Sequence, residues 1–140
     1  MKERQGMTMT TVLLVDDDVD FLQANQTALE AAGFEVKIAH NSGEGMRIAR
    51  ENPIDVAVLD VMMDTPDEGF ALAREMRKNE ATKGIPLVML TSVNEVNRQA
   101  GYTFRFSDHD KDATWLPIDK FLDKPVKPQQ LAEAIRSLVR

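Results

Sequence analysis

Five short runs of aliphatic and β-branched residues, each followed by a stretch of helical periodicity, constrain this chain more than any other feature. The runs are Thr11-Val12-Leu13-Leu14-Val15, Phe34-Glu35-Val36-Lys37-Ile38, Ile54-Asp55-Val56-Ala57-Val58-Leu59, Ile85-Pro86-Leu87-Val88-Met89-Leu90 and Ile118-Asp119-Lys120-Phe121-Leu122, and each reads as a strand. The first helical stretch puts Phe21, Leu22, Ala28, Leu29 and Ala32 on one face and stops at Gly33, a residue suited to the left-handed turn after a helix. Asn41, with Glu44 three positions on, opens a second helix through Met46, Ile48 and Ala49 that Pro53 ends. Thr65-Pro66-Asp67-Glu68 supplies a cap, a proline at the first helical position and an acid at the third, ahead of Phe70, Ala73 and Met76. Pro128 opens the last helix, with Leu131, Ile135 and Leu138 along one side. From Ser92 to Pro117 the pattern is poor, with one weak helix over Val93 to Gln99.

β/α units in series predict a parallel sheet covered by helices on both faces. Runs one, three and four are nearly continuous in apolar residues, as interior strands are. The second alternates with Glu35 and Lys37, and the fifth carries Asp119, Lys120 and Asp123, so these two are edges. The expected fold is α/β, a flavodoxin-like doubly wound five-stranded parallel sheet of order 2-1-3-4-5, with its ligand crevice at the carboxyl ends of strands one and three.

Composition narrows the function. At 140 residues the chain is one domain, read as residues 11–140 behind a flexible tail of residues 1–10. It has no cysteine, which excludes a disulfide framework, a thiol nucleophile and a thiolate metal site. Seventeen basic against 23 acidic residues give a net charge of −6, without the basic footprint of a nucleic-acid binder. No stretch has the length of a membrane span, and the first ten residues lack the apolar core of a secretory signal. The expectation is a cytoplasmic protein that neither binds nucleic acid nor inserts into a membrane.

The carboxyl ends of the strands carry the chemistry. Strand one ends in Asp16-Asp17-Asp18, strand three in Asp60, strand four in Thr91-Ser92 and strand five in Lys124-Pro125. Singly, each residue has an ordinary structural explanation: an aspartate caps a helix, a lysine precedes a turn. Asp18 and Asp20 keep that reading, as cap and solvated first turn. Jointly, acids after strands one and three, a hydroxyl after strand four and an ammonium after strand five meet on one rim. Crowded carboxylates repel unless one is protonated or a cation sits among them, and a hard cation with oxygen ligands, Mg²⁺, fits best.

With these residues in view, the chain resembles the receiver domains of two-component response regulators, in particular the stand-alone, chemotaxis-regulator-like ones. The matching segments are Leu13-Leu14-Val15-Asp16-Asp17-Asp18, Asp55 to Met63, Leu90-Thr91-Ser92 and Phe121-Leu122-Asp123-Lys124-Pro125-Val126. The resemblance implies that Asp60 accepts a phosphoryl group from a histidine kinase. It implies that Asp16, Asp17, Asp60 and the Met62 backbone carbonyl hold Mg²⁺, and that Thr91 and Lys124 contact the phosphoryl oxygens. Thr91 and Phe121 would form the conformational switch. The output would be a downstream protein target or a phosphotransfer protein in a phosphorelay.

Three departures from the family pattern stand out. Asp64 replaces the usual proline, and Gly69 falls one position later than the family's glycine, so the loop after the acceptor has gained a residue. The Ser92–Pro117 stretch is longer than usual and mixes Tyr102, Phe104, Phe106, His109 and Trp115 with charges; His109 and His40 have no assigned role. Phe121 stands where many receivers carry tyrosine. Met62 and Val93, beside the expected path of a hydrolytic water, cannot hydrogen-bond one, which implies a long-lived phosphoryl group. Two rivals remain. One is a pseudo-receiver, an interaction module without chemistry. The other is a phosphohydrolase with an aspartyl nucleophile on strand one, disfavoured because Asp20 stands where its Asp-x-Asp-x-Thr/Val start needs Thr or Val, and no later acidic pair follows the fourth strand. The reading is a non-enzymatic signalling protein.

Overall fold

The computed structural model describes residues 3–4, 7–61, 68–91 and 118–139. The five-stranded parallel sheet consists of β1 (Thr11–Val15), β2 (Glu35–Ala39), β3 (Val56–Asp60), β4 (Leu87–Thr91) and β5 (Lys120–Asp123). Its order is β2-β1-β3-β4-β5, as read from the sequence. The described helices are α1 (Val19–Ala31), α2 (Ser42–Glu51), α3 (Glu68–Lys78) and α4 (Pro128–Leu138). Ahead of the sheet, Glu3–Arg4 pairs antiparallel with Met7–Thr8. The segment Ser92–Pro117, the Thr65–Pro66 helix start, Met62 and Val93 lie outside the described residues.

Alternation along the strands divides the core into two layers. Leu13, Val15, Ala57, Leu59, Leu87 and Met89 face α2 and α3 through Met46, Ala49, Leu72, Ala73 and Met76. Val12, Leu14, Val56, Val58, Val88 and Leu90 face α1 and α4 through Leu22, Leu29, Leu131 and Ile135. The three interior strands are buried along their whole length, which is why their sequences are continuously apolar.

Local signals set the helix ends. The Asp18 side chain accepts from the Phe21 N–H at 3.2 Å and caps α1. At the other end, Gly33 adopts φ 102°, the Phe34 N–H donates to the Leu29 carbonyl and the Gly33 N–H to that of Glu30, both at 3.1 Å. These bonds close the helix in a Schellman turn, with Phe34 and Leu29 in the same apolar cluster. Asn41 caps α2 by accepting from the Glu44 N–H at 2.8 Å. The Gln130 side chain accepts the Lys127 N–H at 3.1 Å and closes the start of α4.

Several strands begin later than their apolar runs, because side chains take the first pairing positions. Asp55 Oδ2 accepts the Thr11 N–H at 2.8 Å just before β3. Asp119 Oδ2 accepts the Leu87 N–H at 2.8 Å just before β5. The same Asp119 oxygen takes an Arg77 N–H at 2.8 Å, while Arg77 also donates to the carbonyls of Lys83 and Ile85 at 2.9 and 2.6 Å. Thus one guanidinium on α3 ties together the entries to β4 and β5.

One polar residue sits within the apolar stripe of α1. Asn25, buried with Leu22 and Leu29, donates from Nδ2 to the Phe21 carbonyl at 3.0 Å. Its Oδ1 is buried and has no hydrogen-bond partner among the described residues. A buried unpaired acceptor costs about 1–3 kcal/mol. Asn25→Leu is therefore expected to stabilise the protein by about 1 kcal/mol, read as a higher urea midpoint at unchanged m-value; a lower midpoint would show that the amide is needed.

Candidate functional site

The strand ladders place each functional side chain at the same rim. Asp16 follows β1, and its N–H donates to the Ala39 carbonyl at 3.1 Å. Asp60 is the last residue of β3, in register with Leu90. Thr91 ends β4 opposite Asp123 of β5, and the Lys124 N–H donates to the Thr91 carbonyl at 2.9 Å. Lys124 joins Pro125 through a cis peptide bond. A right-handed parallel sheet thus brings residues from four strands together although the sequence spreads them over more than a hundred positions.

The charges are close. Among the described residues, carboxylate oxygens of Asp16, Asp17 and Asp60 lie within 4.8 Å of one another. Asp16 is 1% exposed, Asp60 6% and Thr91 fully buried, whereas Asp17 faces solvent. The Lys124 ammonium bridges the two buried acids, 3.3 Å from Asp16 Oδ2 and 3.6 Å from Asp60 Oδ1. Asp16 Oδ1 accepts the Asp18 N–H at 2.9 Å. Burial pushes the Asp16 carboxyl above its usual range and the Asp17 charge adds to the push, while the Asp18 N–H and Lys124 pull it back.

This donor set fits a divalent cation. Three carboxylates gather around one ammonium, all candidate ligand atoms are hard oxygens, and one of the acids faces water. Asp16, Asp17 and Asp60 could hold such an ion. Met62, expected to add a backbone oxygen, lies outside the described residues.

Phe121 sits on β5 in register with Met89 and packs partly buried against the core layer beneath α2 and α3. The expected Asp18 cap is present. Two residues near the site escaped the sequence reading of roles. Gly69, at the start of α3, donates its N–H to the Val61 carbonyl at 3.0 Å. A Cβ there would collide with the Asp60 carbonyl oxygen and come within 2.7 Å of Val61 Cα, so α3 rests directly on the backbone that carries Asp60. Its signal was a glycine inside the first turn of a helix, where propensity disfavours it. The second is Phe21, whose ring centroid lies 4.8 Å from Lys124 Nζ.

The response regulator receiver domain family matches residues 12–136. The chain belongs to that family. Receiver domains are the phosphorylation-dependent signalling modules that histidine kinases phosphorylate. Similar curated proteins include the transcriptional regulatory protein GltR of Pseudomonas aeruginosa, 33% identical over 132 residues, covering 93% of this chain and 49% of GltR. The phosphate regulon transcriptional regulatory protein PhoB of the same organism is 28% identical, covering 96% of this chain and 53% of PhoB. Among solved structures, the chemotaxis response regulator CheY4 of Vibrio cholerae is 27% identical with a TM-score of 0.76, covering 94% of this receiver and all of CheY4. The receiver spans about half the length of the curated relatives it matches. GltR and PhoB are named as transcriptional regulators, so these similarities give no support to the expectation, drawn from acidic composition, that nucleic acid is not a partner. No described helix is long and apolar enough to cross a membrane.

Proposed function

We propose that this receiver is a phosphoacceptor switch in which Asp60 takes a phosphoryl group from the phosphohistidine of a histidine kinase. An ionised Asp60 oxygen attacks phosphorus and forms the acyl phosphate, as the phosphorus–nitrogen bond breaks and the imidazole leaves with the electron pair. The observation that carries this reading is the Lys124 ammonium held between Asp16 and Asp60 on a rim to which Asp17 adds a third carboxylate. Phosphoryl transfer needs little covalent help from a protein, but it needs charge neutralised and partners positioned. In this reading Lys124 follows the phosphoryl oxygens, and Thr91, at the end of the neighbouring strand, donates its hydroxyl to them. Mg²⁺, held by Asp16, Asp17, Asp60 and the Met62 carbonyl, would supply further neutralisation of those oxygens.

The switch proposed here couples Thr91 to Phe121. Thr91 is drawn toward the phosphoryl group and Phe121, one strand away, takes a more inward position, so the face at β5 changes; the Ser92–Pro117 segment and its helix, expected to share in the change, lie outside the described residues. This is a population shift rather than a new state. The output is a protein contact made by that face in the cytoplasm, with a separate target, a phosphotransfer protein or a domain of the same protein as the recipient.

Incubation with acetyl phosphate and Mg²⁺, followed by intact mass, tests it. A single phosphoryl adduct that disappears in Asp60→Asn is expected. An unmodified parent would favour the pseudo-receiver, and continued release of phosphate from an ester substrate would favour the phosphohydrolase.

A further inference from the structure

Lys124 has a third partner besides its two acids, and it is uncharged. Its Nζ lies 4.8 Å from the centroid of the Phe21 ring, inside the range where an ammonium is attracted by the ring face. Phe21 is itself held from two sides. Its N–H donates to the Asp18 cap at 3.2 Å, and its side chain packs, partly buried, against the α1 and α4 core layer. The contacts close a circuit. Asp16 Oδ1 takes the Asp18 N–H, Asp18 takes the Phe21 N–H, the Phe21 ring takes the Lys124 ammonium, and Lys124 returns to Asp16 Oδ2.

We infer that Phe21 is a positioning residue for phosphoryl transfer, holding the Lys124 ammonium over the rim through the face of its ring. The inference rests on the phosphoacceptor reading above and adds a residue to it. Both acidic partners of Lys124 change during the reaction: a divalent cation competes for Asp16 and Asp60, and Asp60 itself becomes esterified. The ring face is altered by neither event. It therefore keeps the ammonium near the acceptor while its ionic partners are exchanged, where the bare side chain would swing into solvent. An aliphatic residue at position 21 fills the same apolar space but lacks the negative ring face.

The test compares Phe21→Leu and Phe21→Tyr in the full chain, each also combined with Lys124→Met. Phosphorylation by acetyl phosphate with Mg²⁺ is followed by mass. The ε-methylene resonances of Lys124 are followed by NMR without metal or donor. Phe21→Leu is expected to slow phosphorylation roughly three- to tenfold at a nearly unchanged melting temperature, and Phe21→Tyr to restore the rate. The Lys124 ε-protons should show an upfield ring-current shift in the parent and in Phe21→Tyr, and lose it in Phe21→Leu. With Lys124→Met, Phe21→Leu should cost nothing further. A parent without the ring-current shift would overturn the inference, as would a Phe21→Leu rate equal to the parent's or the same loss in the Lys124→Met background. A parent that shows the shift but takes no phosphoryl group would overturn the phosphoacceptor reading, and the kinetic role of Phe21 with it, leaving the clamp on Lys124 demonstrated.

Discussion

Replacing Gly69 with alanine is expected to cost about 3 kcal/mol or more and to slow phosphorylation at the same time. The added methyl group has nowhere to go. It would meet the carbonyl oxygen of Asp60 and approach Val61 Cα to 2.7 Å, and both are backbone atoms of the central strand. Relief cannot come from a rotamer change, so either α3 moves off the sheet or the end of β3 is displaced. The first opens the contact of Leu72, Ala73 and Met76 with the core, and the second moves the acceptor itself. Overpacking a tight core contact costs typically 1–3 kcal/mol, and collision with immobile backbone puts this case at the upper end. For a domain of this size the loss corresponds to a fall in Tm on the order of 10 °C. Thermal melts and acetyl phosphate labelling of Gly69→Ala check both halves. A variant as stable and as reactive as the parent would show that α3 does not bear on Asp60.

This glycine also shows where the sequence stops being legible. The strands could be read because burial on both faces forces continuous apolar runs, and the order 2-1-3-4-5 followed from which runs are interrupted by charge. The rim could be read because the residue after each strand is fixed by the ladder, so Asp16, Asp60, Thr91 and Lys124 converge whatever the helices do. Contacts between elements distant in sequence follow no such rule. Gly69 was visible as a glycine one position out of place, but its approach to the Asp60 carbonyl depends on how α3 docks. The Arg77–Asp119 pair joins residues 42 positions apart, and nothing local marks either as paired. Phe21 read correctly as an apolar residue on the helix face, yet its use as a platform for Lys124 needs the tilt of α1 against β5. Asn25 occupies an inward position that periodicity assigns to an apolar side chain, so its burial could not be foreseen from residue type.

The acidic rim should also make the stability of the protein depend on pH in opposite directions with and without metal. Burial raises the Asp16 carboxyl above its usual range in the folded protein, so the native state holds that proton more tightly than the unfolded chain does. The resulting stabilisation is fully present below the unfolded carboxylate value and is lost as pH rises through the raised folded value. In EDTA, stability should therefore fall by the Asp16 contribution as pH rises above the unfolded carboxylate value. A divalent cation binds only the ionised acids, so its own stabilisation grows over the same window. At ten times its dissociation constant it adds about 1.4 kcal/mol, and at a hundred times about 2.7 kcal/mol. Saturating Mg²⁺ should accordingly reverse the slope. Other carboxylates titrate as well, and Asp16→Asn separates their effect, because its amide keeps the shape and removes the charge. That variant should be more stable than the parent in EDTA at neutral pH, should lose the Asp16 part of the pH slope, and should gain less from Mg²⁺. Urea midpoints of parent and Asp16→Asn across the weakly acidic to neutral range, with EDTA and with Mg²⁺, decide it. Parallel curves for the two proteins in EDTA would mean that the buried Asp16 carboxylate is not what strains the rim, and the divalent ion would then have to be sought at other oxygens.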